Sequence, residues 1–263
     1  MFASIPAAIV LGVDGHPVTV EVHVGRGLPG LTIVGLPDAA CREARDRVRA
    51  AVQAARLEWP SQRITVNLAP SGTRKAGSGL DMAMAVGLLV ASGQIEADAV
   101  DGIGFLGEVG LDGSVRAVPG IVPLVDALRC HTVVVPVAAV RDAALVQGPR
   151  VRGVATLAEL VAALREEEPW PDHPVDIAAP PPAPVGDLAD VRGQSVVRRA
   201  LEVAAAGGHH LLMVGPPGAG KTMLASRLPG LLPDLGHTEA MEATRIHSAA
   251  GRSLHGGLVT RPP

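Results

Sequence analysis

The stretch HHLLMVGPPGAGKTMLASRLPG, residues 209–230, contains the pattern that decides the fold of the C-terminal part of the chain. Within it, Gly215–Thr222 has the spacing G-x-x-x-x-G-K-[ST] of a phosphate-binding loop. The apolar run His210–Val214 predicts a short strand before the loop, and Thr222–Leu228 predicts a helix after it. A strand, a glycine-rich loop and a helix in this order are the context that the motif requires.

The residue types in the loop suit the binding of a triphosphate. Glycines let successive backbone N–H groups converge on phosphate oxygens, and the helix that follows adds the positive end of its dipole. Lys221 supplies a charge for the β- and γ-phosphates, and the Thr222 hydroxyl can ligate Mg²⁺. We therefore predict that ATP and Mg²⁺ bind at Gly215, Pro216, Pro217, Gly218, Ala219, Gly220, Lys221 and Thr222. The alternative is a glycine turn that happens to contain a lysine.

Hydrolysis of the nucleotide requires more than this loop. A phosphate-loop motor needs an acidic residue after a second apolar strand, to hold Mg²⁺ and to orient water. The acidic residues downstream, Asp234, Glu239 and Glu242, do not follow four consecutive apolar residues, and the chain stops at Pro263. We therefore expect a truncated chain that binds ATP without turning it over, and we assign no catalytic residue.

Composition narrows the class of protein further. The chain has 263 residues, of which 48% are hydrophobic and 19% charged, and its formal net charge is -3. The apolar fraction excludes a mainly disordered chain, and the small net charge argues against a protein that coats a polyanion. With aromatic residues at only 2%, base-stacking surfaces are not expected. Two cysteines and the absence of an apolar stretch of about 20 residues predict a cytoplasmic protein without a membrane span.

Proline divides the chain into three parts. The segment Glu166–Gly186 contains an acidic run and four closely spaced prolines, so we predict a linker between a domain at residues 1–165 and a partial ATPase module at residues 187–263. In the first domain Asp38 can cap a helix, and Thr156 with Glu159 forms a capping box. The fold class is α/β. The predicted strands and helices of this domain are 18–24, 31–34, a helix to Ala55, 64–68, a helix at 80–91, a hairpin turning at 112–113, a helix at 121–128, 132–135 and a helix at 157–165.

With these features the chain resembles the N-terminal half of the ComM/YifB-type, magnesium-chelatase-like AAA+ ATPases. The resemblance covers essentially the whole sequence. The stretches that carry it are Gly35–Val52 (GLPDAACREARDRVRAAV), Ile64–Leu89 (ITVNLAPSGTRKAGSGLDMAMAVGLL), Asp187–Gln194 (DLADVRGQ), Gly215–Pro233 (GPPGAGKTMLASRLPGLLP) and the C-terminal TRIHSAAGRSLHGGLVTRPP.

The resemblance implies a fold and a role. The first domain is expected to have the ribosomal-S5-domain-2-like fold shared with Lon-type peptidase domains, and the rest is expected to open an AAA+ module that assembles into a homo-oligomeric ring, usually a hexamer. Members of the family are similar to DNA-translocating motors, with a role in branch migration during natural transformation. The resemblance also places Val191 and Gln194 near the adenine. It gives no counterpart here of the second acidic motif, the sensor residues or the arginine finger.

The likeness to Lon raises the question of proteolysis, which the sequence does not favour. Lys75–Gly79 resembles the serine segment of the peptidase, but the nucleophile position falls on Gly79, and the lysine position falls near Val122. Ser78 is therefore interpreted as a turn or a helix cap before Asp81. The histidines are scattered without ligand spacing, so no metal site is predicted beyond Mg²⁺ at Thr222.

An arginine-rich face is the remaining candidate for a binding surface. Arg42, Arg45, Arg49 and Arg56 are expected on one side of the first helix, where they either contact nucleic acid phosphates or are simply solvated. Three functions stay open: a DNA motor subunit driven by ATP, a nucleotide-binding or assembly fragment without turnover, and a magnesium-chelatase-type motor that acts on a protein or tetrapyrrole partner. Residues beyond about 230 are expected to be more mobile than the first domain.

Overall fold

The structure is a computed structural model, and it describes residues 1–172, 186–252, 254 and 257–262. The chain divides into two compact units, Met1–Ala178 with Arg245–Gly257 (unit 1) and Ala179–Thr244 with Leu258–Pro263 (unit 2). Most of the predicted linker, residues 173–185, lies outside the described residues. Over the part of the chain that the structure describes, no helix combines the length and the apolar character that crossing a bilayer requires.

The secondary structure is mixed, which confirms the α/β fold class. The strands are β1 (Phe2–Leu11), β2 (Asp14–Gly25), β3 (Gly30–Val34), β4 (Arg63–Ala69), β5 (Ile103–Phe105), β6 (Glu108–Val109), β7 (Val115–Arg116), β8 (Thr132–Pro136) and β9 (Arg150–Val154). The helices are α1 (Ala39–Ala54), α2 (Asp81–Ala91), α3 (Ile121–Ala127), α4 (Val140–Ala143), α5 (Leu157–Leu164), α6 (Ser195–Gly207), α7 (Lys221–Ala225) and α8 (His237–Ala249).

Unit 1 is built on a four-stranded sheet with the order β1-β2-β4-β3. The first three strands are antiparallel neighbours, and β3 runs parallel to β4. Alternate residues of β2 are buried, from Val18 to Val24, because successive side chains of a strand point to opposite faces. Helix α2 packs on this sheet so closely that a Cβ on Gly87 would stand 2.7 Å from Cγ2 of Val22.

A second, parallel sheet has the order β5-β8-β9, and the predicted hairpin is confirmed as the antiparallel pair β6–β7. The turn of the hairpin is fixed by Asp112, whose carboxylate accepts a hydrogen bond from the amide of Ser114 at 3.1 Å. Gly113 has a φ of +82°, a conformation that favours glycine.

The helix caps predicted at Asp38 and at Thr156 with Glu159 are confirmed. The Asp38 carboxylate accepts the Cys41 amide at 2.8 Å at the start of α1. Thr156 and Glu159 form the capping box of α5. These caps satisfy amides that have no partner inside the helix, so short polar side chains could identify both helix starts in advance.

A buried ion pair joins the first two helices of unit 1. Arg47 of α1 donates from Nε and Nη2 to the two carboxylate oxygens of Asp81 in α2, at 2.7 and 3.0 Å. The Asp81 side chain is 1% exposed and that of Arg47 is 19% exposed. Burial raises the pKa of Asp81 to about 6, although the Arg47 guanidinium acts to lower it.

The loop between β4 and α2 encloses a lysine. Lys75 is fully buried, and its Nζ donates to the carbonyl oxygens of Pro70 and of Thr73. Burial lowers the pKa of this ammonium group below its ordinary value. In the loop that carries the peptidase-like segment, the lysine is therefore buried and bonded to carbonyl oxygens of the loop itself.

The same loop is tied to the start of α1 and ends in a turn. The amide of Gly77 donates to Asp38 at 3.1 Å, and the Cys41 thiol donates to the Gly77 carbonyl at 3.2 Å. Burial raises the pKa of Cys41 to about 12. The Ser78 carbonyl accepts the Asp81 amide, so of the two roles predicted for Ser78 the turn is confirmed. The cap is wrong, because Leu80 is the N-cap of α2.

Unit 2 has a small apolar cluster. Its buried members are Leu188, Val191, Leu201 and Leu224. The predicted strand His210–Val214 is wrong, since this segment forms no regular secondary structure. No strand is formed by residues 186–244 or 258–262, so the segment has no neighbour with which to exchange backbone hydrogen bonds.

The helix predicted at Thr222–Leu228 is shorter than expected. Helix α7 ends at Ala225, and a 3₁₀ turn follows at Leu228–Gly230. The Ser226 hydroxyl donates to the Met223 carbonyl at 2.8 Å and so takes an acceptor at the end of the helix. Leu228 precedes Pro229, whose ring disfavours the helical conformation of the residue before it.

Candidate nucleotide site

The glycines of the loop Gly215–Thr222 have the backbone conformations that the motif needs. Gly218 has a φ of +83° and Gly220 a φ of +79°, both in the left-handed region. A Cβ on Gly218 would meet no atom within 4 Å, so the turn faces open space. The backbone of the loop is therefore accessible from outside at the position where a phosphate would approach.

Lys221 is held by the loop that it belongs to. Its Nζ donates to the carbonyl oxygens of Gly215 and Pro216, both at 2.8 Å. These two bonds engage two of the three donors of the ammonium group and fold the lysine side chain back over the loop. The bonds are exposed to solvent, so an anion can replace the carbonyl oxygens without the cost of opening a buried pair.

The helix after the loop is anchored through one apolar residue. Leu224 of α7 is 2% exposed and packs in the cluster that also contains Val191. Thr222, on the preceding turn, is exposed. The anchoring of Leu224 thus fixes α7 and leaves the hydroxyl that is predicted to ligate Mg²⁺ at the surface.

The segment Asp187–Gln194, which the resemblance places near the adenine, has a defined conformation. Asp187 accepts the amide of Ala189 at 2.8 Å and donates its own amide to Asp190 at 3.2 Å. Gln194 is the N-cap of α6 with a φ of +55°. Val191 is 3% exposed and packs in the same apolar cluster as Leu224 of α7.

The acidic residues after the loop have other partners or lie at the surface. Glu239 accepts the amide of Gly236 at 3.0 Å, near the start of α8. Asp234 and Glu242 are exposed. Within the described ranges, no group of three or more acidic, histidine or cysteine residues is placed to hold a metal ion.

The predicted arginine face is only partly formed. Arg42 donates to the Pro37 carbonyl at 3.0 Å, and Arg45 pairs with Asp46 at 3.0 Å. The guanidinium of Arg49 stands 5.8 Å from the ring centroid of Trp59. Arg56 does not belong to this face, because α1 ends at Ala54 and Arg56 follows with a φ of +59°.

Sequence reasoning missed two features near these sites. It did not find the Arg47–Asp81 pair, because Arg47 is separated from its partner by 34 residues. It also did not single out Trp59, whose contact with Arg49 depends on how the chain turns back after α1. A signal for the pair was nonetheless present, since Asp81 is an acidic residue at the head of an otherwise apolar helix.

Family models match most of the chain. Residues 20–139 match the model described as subunit ChlI of Mg-chelatase, and residues 187–263 match the model described as magnesium chelatase, subunit ChlI. The second match contains the whole phosphate-binding loop.

Individual relatives match over nearly the full sequence. An uncharacterized protein of Mycobacterium tuberculosis is 48% identical over 259 residues, which are 97% of this chain and 51% of the relative. The protein YifB of Escherichia coli is 43% identical over 240 residues, 90% of this chain and 47% of the relative. The competence protein ComM of Haemophilus influenzae is 39% identical over 254 residues, 93% of this chain and 49% of the relative. The chain spans about half the length of the curated relatives it matches.

Proposed function

We propose that this chain, which belongs to the ComM/YifB-type magnesium-chelatase-like family, binds ATP with Mg²⁺ at Gly215–Thr222. The observation that supports this is the loop itself. Two left-handed glycines open its backbone to solvent, and Lys221 Nζ donates to two exposed carbonyl oxygens of the same loop.

The residues present fit the nucleotide. Backbone amides of the loop would hold phosphate oxygens, and Lys221 would exchange its carbonyl partners at Gly215 and Pro216 for β- and γ-phosphate oxygens. Thr222 is exposed and would ligate Mg²⁺ through its hydroxyl. Bound ATP with Mg²⁺ supplies the free energy of phosphoanhydride hydrolysis to a motor of this family.

Calorimetric titration of ATP with Mg²⁺ tests the site. We expect Lys221→Ala to lower the affinity about 10- to 100-fold, because a charged hydrogen-bond donor to phosphate is removed. Thr222→Ala should retain binding of ATP without Mg²⁺ but lose the gain that Mg²⁺ gives. Ser226→Ala is the matched control, since that hydroxyl bonds the Met223 carbonyl and lies outside the loop. Equal affinities in the native chain and in Lys221→Ala contradict the proposal.

At the level of the whole protein we propose a motor that acts on DNA. The similarity to a competence protein favours this role, and the match of most of the chain to magnesium-chelatase models favours the second candidate, a motor that acts on a protein or tetrapyrrole partner. A version extended to the length of the relatives separates the two. Stimulation of ATP hydrolysis by DNA supports the first candidate, and ATP hydrolysis that DNA leaves unchanged contradicts it.

The ring assembly and the cytoplasmic location of the whole protein are also proposals. Sedimentation of the extended version with and without ATP tests the ring. A hexamer that forms on addition of ATP is the expected result, and a monomer under both conditions overturns it. Fractionation of cells that express the extended version tests the location.

A further inference from the structure

Two cavities in unit 1 share the lining of a short segment, Trp59–Ser61. One, of about 620 Å³, lies between this segment, α1 and the start of β3. The other, of about 680 Å³, lies between the same segment, the end of β2 and the end of α2. Because Trp59, Pro60 and Ser61 line both, we treat the two cavities as one surface and name it the Trp59 groove.

The aromatic ring in this groove is firmly placed. Trp59 is partly buried against the main core of unit 1. The residue before it, Glu58, exchanges two hydrogen bonds with the side-chain amide of Gln94: its N–H donates at 3.0 Å and its carbonyl accepts at 2.9 Å. Gln94 thus holds the backbone of the segment as a neighbouring strand would, so the ring is ordered before any ligand arrives.

The charges around the ring are mainly positive. Arg26, Arg45 and Arg49 line the groove, against the two acidic side chains Asp46 and Glu58. Asp46 pairs with Arg45 at 3.0 Å. The Arg49 guanidinium lies over Trp59, 5.8 Å from the ring centroid, and the side chain is exposed. The half-buried ring of Trp59 therefore lies beside an exposed arginine, in a groove lined by more cationic than acidic side chains.

We propose that the Trp59 groove binds single-stranded nucleic acid, with a base stacked on Trp59 and phosphates held by Arg26 and Arg49. This rests on the proposed action on DNA and adds to it a contact surface in unit 1. Stacking on an aromatic ring combined with a positively charged groove is how proteins bind single strands. The low aromatic content of the chain disfavours such a surface, but a single ring that lines two cavities is sufficient. Because Trp59 lines two cavities, the surface suits a strand better than a mononucleotide.

Tryptophan fluorescence tests the stacking directly, because Trp59 and Trp170 are the two tryptophans of the chain. In a Trp170→Phe background, oligothymidylate of about 15 nucleotides should quench the emission of Trp59. In Trp59→Phe, the emission of Trp170 should not change. Quenching of Trp170 in place of Trp59 overturns the proposal.

Affinity measurements separate stacking from charge. By fluorescence anisotropy of a labelled oligonucleotide, Trp59→Ala should weaken binding about 5- to 100-fold, and Trp59→Phe should restore most of the affinity because it retains a ring. Arg49→Gln should reduce the slope of log affinity against log salt by about 0.7. Arg42→Gln is the matched control, since Arg42 bonds the Pro37 carbonyl and does not line the groove. Equal losses in Arg49→Gln and Arg42→Gln overturn the proposed role of the groove.

Alternative ligands are distinguished in the same assay. Oligouridylate decides between DNA and RNA, and either polymer supports the proposal if it quenches Trp59. Inorganic polyphosphate should bind without quenching. If it competes with the oligonucleotide while no nucleic acid quenches Trp59, the surface is a general anion site and the proposal fails.

All titrations are made without ATP and repeated on Lys221→Ala, where binding should be unchanged. A failure of nucleotide binding at the loop therefore leaves this result intact, and a failure here leaves the nucleotide site intact.

Discussion

Unit 1 and unit 2 use similar apolar segments with different results. In unit 1, β4 is paired on both edges, by β2 and by β3, and its residues Ile64, Val66 and Leu68 are at most 1% exposed. In unit 2, the apolar run His210–Val214 has no partner strand among residues 186–244 and 258–262. Leu212 is 86% exposed there and Val214 is 88% exposed. An apolar sequence becomes a strand only where a neighbour accepts its backbone hydrogen bonds.

The comparison predicts that substitutions in unit 1 lower the free energy of unfolding more than those in unit 2. Breaking the buried ion pair should cause the largest loss. Arg47→Ala should lower the free energy of unfolding by about 3 to 5 kcal/mol at pH 7, because it leaves the Asp81 carboxylate buried without its cation. Urea titration monitored by circular dichroism measures this. Arg45→Ala removes the exposed pair with Asp46 and should cost less than about 1 kcal/mol. Similar losses in both variants would contradict the assigned burial.

A matched pair of leucines tests the contrast between the two strand-like segments. Leu68→Ala in β4 should cost about 2 to 5 kcal/mol, since Leu68 is fully buried. Leu212→Ala should change the free energy of unfolding by no more than about 0.5 kcal/mol, because that side chain already contacts water. A large loss in Leu212→Ala would show that the segment has a partner in solution.

The pH dependence of unit 1 follows from Asp81. Its pKa is about 6 in the folded chain against an ordinary 3.8, so folding favours the protonated form. The corresponding stabilisation is complete below pH 3.8 and is lost as the pH rises through 6, by about 3 kcal/mol in total. Asp81→Asn should flatten this part of the profile of unfolding free energy against pH. Parallel profiles for the native chain and Asp81→Asn would refute the assignment.

Bound nucleotide should reduce the difference in stability between the two units. At a hundredfold excess over the Kd, ATP with Mg²⁺ should stabilise the loop region of unit 2 by about 2.7 kcal/mol. Hydrogen exchange read by mass spectrometry should show slower exchange at the loop and α7, with α2 unchanged. Without nucleotide, residues beyond about 230 should exchange faster than residues 1–165. Uniformly slow exchange across both units would remove the basis of the comparison.

Sequence could predict those elements that local residues determine. The alternation of apolar and polar residues over Val18–Val24 predicted β2, and Asp38 predicted the start of α1. Strand β1 was not predicted, because Pro6 interrupts it. Pro6 is tolerated because β1 is an edge strand of its sheet. The sequence of one strand does not show whether that strand lies at an edge.

The candidate site shows the same division. The spacing of Gly215–Thr222 defines the loop without any structure. The contact of Lys221 with its own carbonyls and the burial of Leu224 depend on the folded backbone. Helix α6 was not predicted because its N-cap residue, Gln194, makes no side-chain hydrogen bond to the helix start and so leaves no capping signal in the sequence. The strand at His210–Val214 was predicted wrongly because its formation depends on distant partners.

The closed loop around Lys75 has a practical consequence for chemical labelling. The chain contains only two lysines, and this one is sealed from solvent with its ammonium group on two carbonyl oxygens. The other, Lys221, lies in the loop Gly215–Thr222 with its bonds exposed. The lysine that an acylating reagent marks in the folded chain is therefore Lys221, so the mass of the labelled peptide counts how many loops were free when the reagent was added.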